Sequence, residues 1–267
     1  MGRISLFIRH ILLLALAVGI LWVAGCSSEK SNLNEESATD KVLFAYVGAN
    51  LKEPFSDLAT AYEKKTGVKI EITYNNSGAL LNQVEIAQKG DIFMPGGMPF
   101  INKAKEKGVI DEVAGPIAYH TPVIVVPQDN PANIKSIYDL ANPDVTLLVP
   151  DLEATAIGKT IAQVFEKTSE TDQIKQNIIA HLESPAKVMA AIKIGQANAG
   201  IVEYSNSLKD ADTVNRIEID ADINVVDEIP IASLTFATNK EEVRDFIDFV
   251  GVKGPTTFEE HGFKITK

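Results

Sequence analysis

Strand-like and helix-like runs alternate along most of this 267-residue chain, and the alternation points to an α/β architecture. Residues 41–47, KVLFAYV, read as a buried strand, and 48–50 as a turn. Phe55, Leu58, Ala59 and Tyr62 then mark the apolar side of a helix that Gly67 ends. Ile70, Ile72 and Tyr74 repeat at period 2, as a half-buried strand does. Residues 75–78, NNSG, stop that strand and start a helix. Ser77 is its expected N-cap, and Leu80, Leu81 and Val84 are its apolar stripe. A short strand follows, ending in the turn Pro95-Gly96-Gly97. Residues 100–107 form another helix, closed by Gly108.

The rhythm then breaks at 120–127, HTPVIVVP, a strongly β segment, and restarts. Residues 136–140 read as a short helix, 146–149 as a strand, 157–167 and 172–182 as helices. Ser184-Pro185 is a cap followed by a first helical residue, opening a helix over Val188, Ala191 and Ile192. Residues 199–202 make a short buried strand. A second long β segment spans 223–237 through Pro230, and a helix over 240–250 is capped by Asn239. The expected fold is α/β: two βα lobes with mixed, mostly parallel sheets, joined by a two-strand hinge. Lobe 1 is 41–120 plus 233–267, and lobe 2 is 121–232. The β segments near 118–127 and 225–236 are the two crossings. Ligands of open α/β sheets sit beyond the carboxyl ends of strands, so the turns at 48–50, 75–78, 95–97, 150–157 and 203–205 are expected to face one cleft.

Residues 1–25 are not expected to belong to this fold. Arg3, Arg9 and His10 precede an uncharged apolar run at 11–23, the pattern of a secretory signal peptide. The run is shorter than the roughly 20 residues of a membrane span. It ends in Val23-Ala24-Gly25-Cys26, and Cys26 is the only cysteine of the chain. With no second cysteine there is no disulfide, so the body must stand on its core. Residues 26–40, rich in Ser, Asn and Glu, read as a flexible tether. The formal charge of −11 argues against nucleic acid and against electrostatic docking on anionic lipid. It also gives an anion no long-range attraction, so an anion site here must work through local, oriented dipoles.

Enzyme chemistry is not written in the residues. Ser77 lies in Asn-Ser-Gly, not in a nucleophile elbow. His120, His181 and His261 are far apart, and none pairs with a second His or Cys at zinc-ligand spacing; each reads as surface or structural. Gly90, Gly96 and Gly97 match neither phosphate-loop spacing. Glu241-Glu242 and Glu259-Glu260 read as solvated helix faces. No catalytic residue, cofactor or directly coordinated metal cation is expected.

Six segments, taken together, resemble a known family: FAYVGANLKEPFSDLATAYEKKTGVKI, YNNSGALLNQVE, GDIFMPGG, PDLEATAIGKTIAQVF, ANAGIVEYSNS and FEEHGFKI. In order and spacing they are similar to the molybdate- and tungstate-binding proteins of ABC importers, which are type II periplasmic substrate-binding proteins. The resemblance covers residues 41–267. It implies capture of a small oxyanion by backbone N–H groups and hydroxyls at helix starts in both lobes, as suits a dianion that only accepts hydrogen bonds. It places Asn50 or Ala49 where the family has a serine, Ser77 on a second serine with Gly78 beside it, and Gly96, after Pro95, on a backbone donor. Ala156 and Ile157 fall on a donor at a helix start, and Val188 on another. The family's tyrosine falls on Glu203, with Tyr204 next; a carboxylate there would repel a dianion unless it points away while Tyr204 donates, or unless the ligand is a protonated anion or carries a cationic group. The alternative ligand is a phosphorylated or carboxylated organic anion, in a transporter component, sensor or adhesin. Cys26 resembles the lipidated cysteine of lipoprotein lipoboxes and is the expected anchor of an exported protein; the importer resemblance implies an ABC permease and its ATPase as partners, and the protein is expected to be a monomer.

Overall fold

The computed structural model describes residues 41–208 and 210–267. The expected signal segment 1–25, the tether 26–40 and the anchor Cys26 lie outside the described residues.

The first lobe opens with strand β1 (Val42–Gly48), a 3-10 turn (Ala49–Leu51) and helix α1 (Lys52–Thr66). It continues through β2 (Lys69–Asn75), α2 (Ser77–Ala87), β3 (Ile92–Met94), α3 (Met98–Glu106) and β4 (Ile110–His120). The second lobe holds β5 (Pro122–Pro127), β6 (Leu147–Pro150), α4 (Ala156–Glu166), α5 (Thr171–Gln176) and β7 (Ile178–Leu182). After these come α6 (Pro185–Lys193), β8 (Ala199–Glu203), α7 (Tyr204–Leu208) and β9 (Val214–Glu218). The chain then returns through β10 (Asp227–Leu234) to the long helix α8 (Lys240–Glu260).

Each lobe carries a five-stranded sheet, ordered β2-β1-β3-β10-β4 in the first and β7-β6-β8-β5-β9 in the second. The pairs of β1 with β2 and β3, and of β6 with β7 and β8, are parallel. The pairs made by the crossing strands β10 and β5 are antiparallel, so "mostly parallel" holds only for the βα half of each sheet. Both faces of both sheets are covered, which is why β1 and β8 read as near-continuous apolar runs. On sheet 1, α1 and α8 pack on one side through Phe55, Leu58, Tyr62, Phe246 and Phe258, while α2 and α3 pack on the other through Leu80, Val84 and Phe100. On sheet 2, α4 and α5 cover one side through Ile161, Phe165 and Ile174, and α6 the other through Val188 and Ile192. Phe246 is fully buried edge-to-face against Phe55 and Tyr62; truncating such a core phenylalanine costs about 3–5 kcal/mol.

Several sequence expectations are corrected. The helix expected over 172–182 is a short helix followed by strand β7. Ile174, Ile178 and Leu182 fit a four-residue spacing, but Ile178, Ala180 and Leu182 also alternate, and pairing with β6 decides for the strand. The final helix runs past Val250 through Pro255 to Glu260, because Phe258 is buried beside it. Gly254 lets it lie against β4, since a Cβ there would come within 2.6 Å of the Ile117 side chain. Strand β9 had no counterpart in the sequence reading. The return crossing also lies earlier than 232–233: β10 is already paired in the first sheet at Asp227, and Ile223 belongs to the core of lobe 2.

The two crossings meet at the hinge. His120 ends β4 and Pro122 begins β5; opposite them, Asp227 pairs with His120. The Asn224 amide donates to the Pro122 carbonyl at 3.1 Å, tying one crossing to the other. The lobes are closed on each other: Ala156, at the start of α4, packs into the core of lobe 1. The Gly78 N–H donates across the gap to the Ala154 carbonyl at 2.9 Å.

Candidate functional site

Three helices and the 3-10 turn begin at one place. The starts of α2 (Asn76, Ser77), α4 (Thr155, Ala156, Ile157) and α6 (Ser184, Pro185) line a common cavity of about 30 Å³, together with residues 48–51, Pro95, Gly96 and His120. A helix start exposes N–H groups without intrahelical partners and carries roughly half a positive charge. Each start is capped locally, which fixes the direction of the remaining N–H groups. The Asn76 side chain accepts from Ala79 N–H at 2.8 Å, so Asn76 is the cap of α2 and Ser77 its first helical residue, a correction to the sequence expectation. The Thr155 hydroxyl accepts from Gly158 N–H at 2.9 Å, leaving the N–H groups of Ala156 and Ile157 at the open end of α4. Ser184 caps α6, with Pro185 at its first turn.

Of the residues expected at the site, Ala49, Asn50, Ser77, Pro95, Gly96, Ala156 and Ile157 line the cavity. Gly78, Val188, Glu203 and Tyr204 do not line it. The Gly78 N–H is bonded to Ala154, and the Val188 N–H bonds the Ser184 carbonyl at 3.3 Å with its side chain in the lobe 2 core. Tyr204 points elsewhere, its ring stacked 4.4 Å from the Arg216 guanidinium and 4.6 Å from Lys264 Nζ. The Ser77 hydroxyl donates to the Pro95 carbonyl, joining the start of α2 to the turn after β3.

Glu203, at the end of β8, is fully buried and turned into the hinge. One carboxylate oxygen contacts His120 Nδ1, and both accept from the Thr121 N–H, at 3.1 and 3.2 Å. His120 is itself only 2% exposed. A Cβ on Gly96, whose φ is +91°, would lie 3.1 Å from His120 Nε2, so the far edge of the ring faces the Gly96 backbone in the cavity wall. Asp227 stands on the other side of the hinge. Its Oδ1 accepts from the Glu228 N–H at 2.9 Å; its Oδ2 makes no hydrogen bond of ordinary geometry among the described residues, though the Met98 N–H lies near enough to favour the charged form. Burial pushes its carboxyl above the usual aspartate range, with the nearby His120 opposing the shift.

Asn50 Nδ2 is likewise buried and without a partner. A buried donor left unpaired costs about 1–3 kcal/mol, so an unpaired amide in a cavity wall points to a ligand that accepts from it. Among the described residues no lysine or arginine lines the cavity; Glu183 on its rim is ion-paired with Lys187. Sequence reasoning missed His120, Thr155 and Ser184 as cavity walls. The caps Thr155 and Ser184 were legible from spacing, whereas His120 carried no local signal.

Two α/β/α lobes joined by two crossings, closed over a cavity walled by helix starts, define a type II periplasmic binding protein fold. The sequence comparison agrees: the chain belongs to the bacterial extracellular solute-binding proteins, whose family model matches residues 43–264. A Haemophilus influenzae protein, provisionally named a binding protein, is 27% identical over 83% of this chain and 90% of its own. A Bacillus subtilis protein, provisionally named an ABC transporter substrate-binding lipoprotein, is 23% identical over 97% of this chain and 99% of its own. The molybdate-binding protein ModA of Mycobacterium tuberculosis is 23% identical over 93% and 94%. Among solved structures, the substrate-binding domain of a provisionally assigned molybdenum ABC transporter from Clostridium difficile superposes with a TM-score of 0.66 at 22% identity, covering 85% of this chain and 99% of that one. At that identity the superposition establishes the fold.

Proposed function

We propose that this protein captures a compact tetrahedral oxyanion, molybdate or tungstate, outside the cytoplasmic membrane and delivers it to an ABC permease and its ATPase. Cys26 is the lipidated anchor, and the protein works as a monomer. The observation that carries the ligand class is the cavity itself. At about 30 Å³ it is small and walled by helix starts, which suits a small inorganic ion better than a sugar or a peptide. Its walls supply neutral donors: the Ser77 N–H at the start of α2, the Ala156 and Ile157 N–H groups opening α4, and the Asn50 amide. The anchor is supported by the lipobox-like sequence before Cys26 and by the lipoprotein name of the Bacillus subtilis relative.

Binding works by population shift. Each lobe brings its own helix starts, so the open form holds the ion with half of the donors and closure adds the rest. Glu203, the carboxylate that would repel a dianion, is held by His120 and the Thr121 N–H instead of facing the ion.

Thermal melting with molybdate, tungstate, sulfate and a phosphorylated three-carbon acid tests this. A ligand at about 100 times its Kd stabilises by about 2.7 kcal/mol. For a body of this size that raises Tm by roughly 5–10 °C. A silent response to saturating molybdate and tungstate, with a clear shift from the organic acid, would overturn the ligand.

A further inference from the structure

We propose that His120 is a ligand-contacting residue, presented to the bound anion through Nε2 as an imidazolium, with Glu203 as the positioning residue that holds it in that state. This rests on the oxyanion reading of the cavity and adds to it a cationic donor and a dependence on pH.

The geometry makes the two ring nitrogens unlike. Nδ1 faces the Glu203 carboxylate, which accepts a hydrogen bond from it and has none to donate while ionised. Glu203 is fixed in turn by the Thr121 N–H on both oxygens, so the ring is held from behind. Nε2 is then the only nitrogen that can reach the cavity, and no hydrogen bond to it is found among the described residues. With the proton on Nδ1 alone, Nε2 presents a lone pair to the cavity and would repel an ion that only accepts hydrogen bonds. With both nitrogens protonated, Nε2 becomes a charge-assisted donor, the stronger kind of hydrogen bond. A deprotonated dianion therefore selects the imidazolium.

Few charged groups share this corner of the fold. Groups facing His120 are Glu203 from β8, Asp227 from β10 and, across the cavity, Glu183 before α6. The turn after β3 and the start of α4 bring uncharged residues, Pro95, Gly96, Thr155, Ala156 and Ile157, and the neighbouring ring of Phe263, 6.3 Å away, is neutral. Among the described residues no lysine or arginine lines the cavity, and His120 is the one wall residue able to carry positive charge. In a chain of formal charge −11, a doubly protonated His120 puts a local cation beside the proposed anion.

Calorimetric titration of the full chain with molybdate and, separately, with sulfate, from about pH 6.5 to about pH 9, tests the assignment. Both ions remain dianions over that range, so any linked proton belongs to the protein. For the wild type, Kd is expected to rise with pH across that range, by at most about tenfold per unit for one linked proton. The binding enthalpy is expected to differ between buffers of different ionisation enthalpy, reporting proton uptake. His120→Gln, which keeps an amide donor but no titration, is expected to bind about tenfold or more weakly at low pH and to lose the slope. Glu203→Gln is expected to move the fall in affinity to lower pH. Wild-type binding that is flat with pH and the same in every buffer overturns the proposal even if His120→Gln does not fold. A slope retained in folded His120→Gln overturns it as well. Binding of neither ion at any pH overturns the oxyanion reading, and the proposal with it, whereas tight, pH-independent binding overturns the role of His120 alone.

Discussion

Replacing Gly78 by valine should hold the lobes apart without touching the ligand. Gly78 is the second residue of α2, and its N–H donates to the Ala154 carbonyl across the gap. A Cβ there would stand 3.3 Å from both the Ala154 Cα and its carbonyl oxygen. That is tight enough that alanine requires only a shift of a few tenths of an ångström. Valine places two further carbons toward backbone that cannot rotate away. Overpacking of this kind costs about 1–3 kcal/mol. Here the cost falls on the closed form alone, since parted lobes leave the position free. A penalty of about 1–3 kcal/mol on closure weakens ligand binding by about 5- to 150-fold. The unliganded Tm should change little, because the open form keeps both cores. Gly78→Ala should bind within a few-fold of wild type, helped by the better helix propensity of alanine. Calorimetry with molybdate gives the affinity, and X-ray scattering shows whether the ligand still contracts the molecule. If Gly78→Val binds as tightly as wild type and contracts as fully, the lobes do not meet at Gly78 and Ala154 in the bound state, and the argument fails.

Two further perturbations follow from the same geometry. Asn50→Ala removes a buried amide that has no partner, so the unliganded Tm should stay level or rise, while molybdate affinity falls by about tenfold or more, read by calorimetry. Asp227→Asn tests the hinge carboxyl, whose pKa burial raises. A raised folded-state pKa means that stability is fullest below the unfolded value of about 3.9 and is lost as pH climbs through the folded value. Asparagine removes that loss, so Tm measured from pH 4 to pH 7 should fall less across the range in the variant and be higher than wild type at neutral pH; equal curves would show that Asp227 is not strained by its burial.

The sequence alone determined the elements whose signal is local. The alternation of β1, α1, β2 and α2, the glycine that ends α1 and the Ser184-Pro185 start of α6 all follow from propensity and capping at short range. These suffice for two βα lobes with helix starts at strand ends, and so for the outline of a cleft. Residues whose apolar pattern fits two periods were decided elsewhere. Residues 178–182 became β7 because β6 was there to pair with it, and 251–260 stayed helical through Pro255 because β4 and the core held Phe258. The site divided along the same line. Ser77, Gly96, Ala156 and Ile157 announced themselves as turn and helix-start residues. His120 did not, since nothing within its own neighbourhood distinguishes it from a surface histidine. Its role depends on Glu203, 83 residues later, and on Asp227 from the returning strand. Pairing of β10 with β4 sets Asp227 opposite His120, and the junction of the two sheets brings Glu203 to its ring. Capping and periodicity act over a few residues and can be read in sequence; charge pairing across a hinge acts through space and waits for the fold.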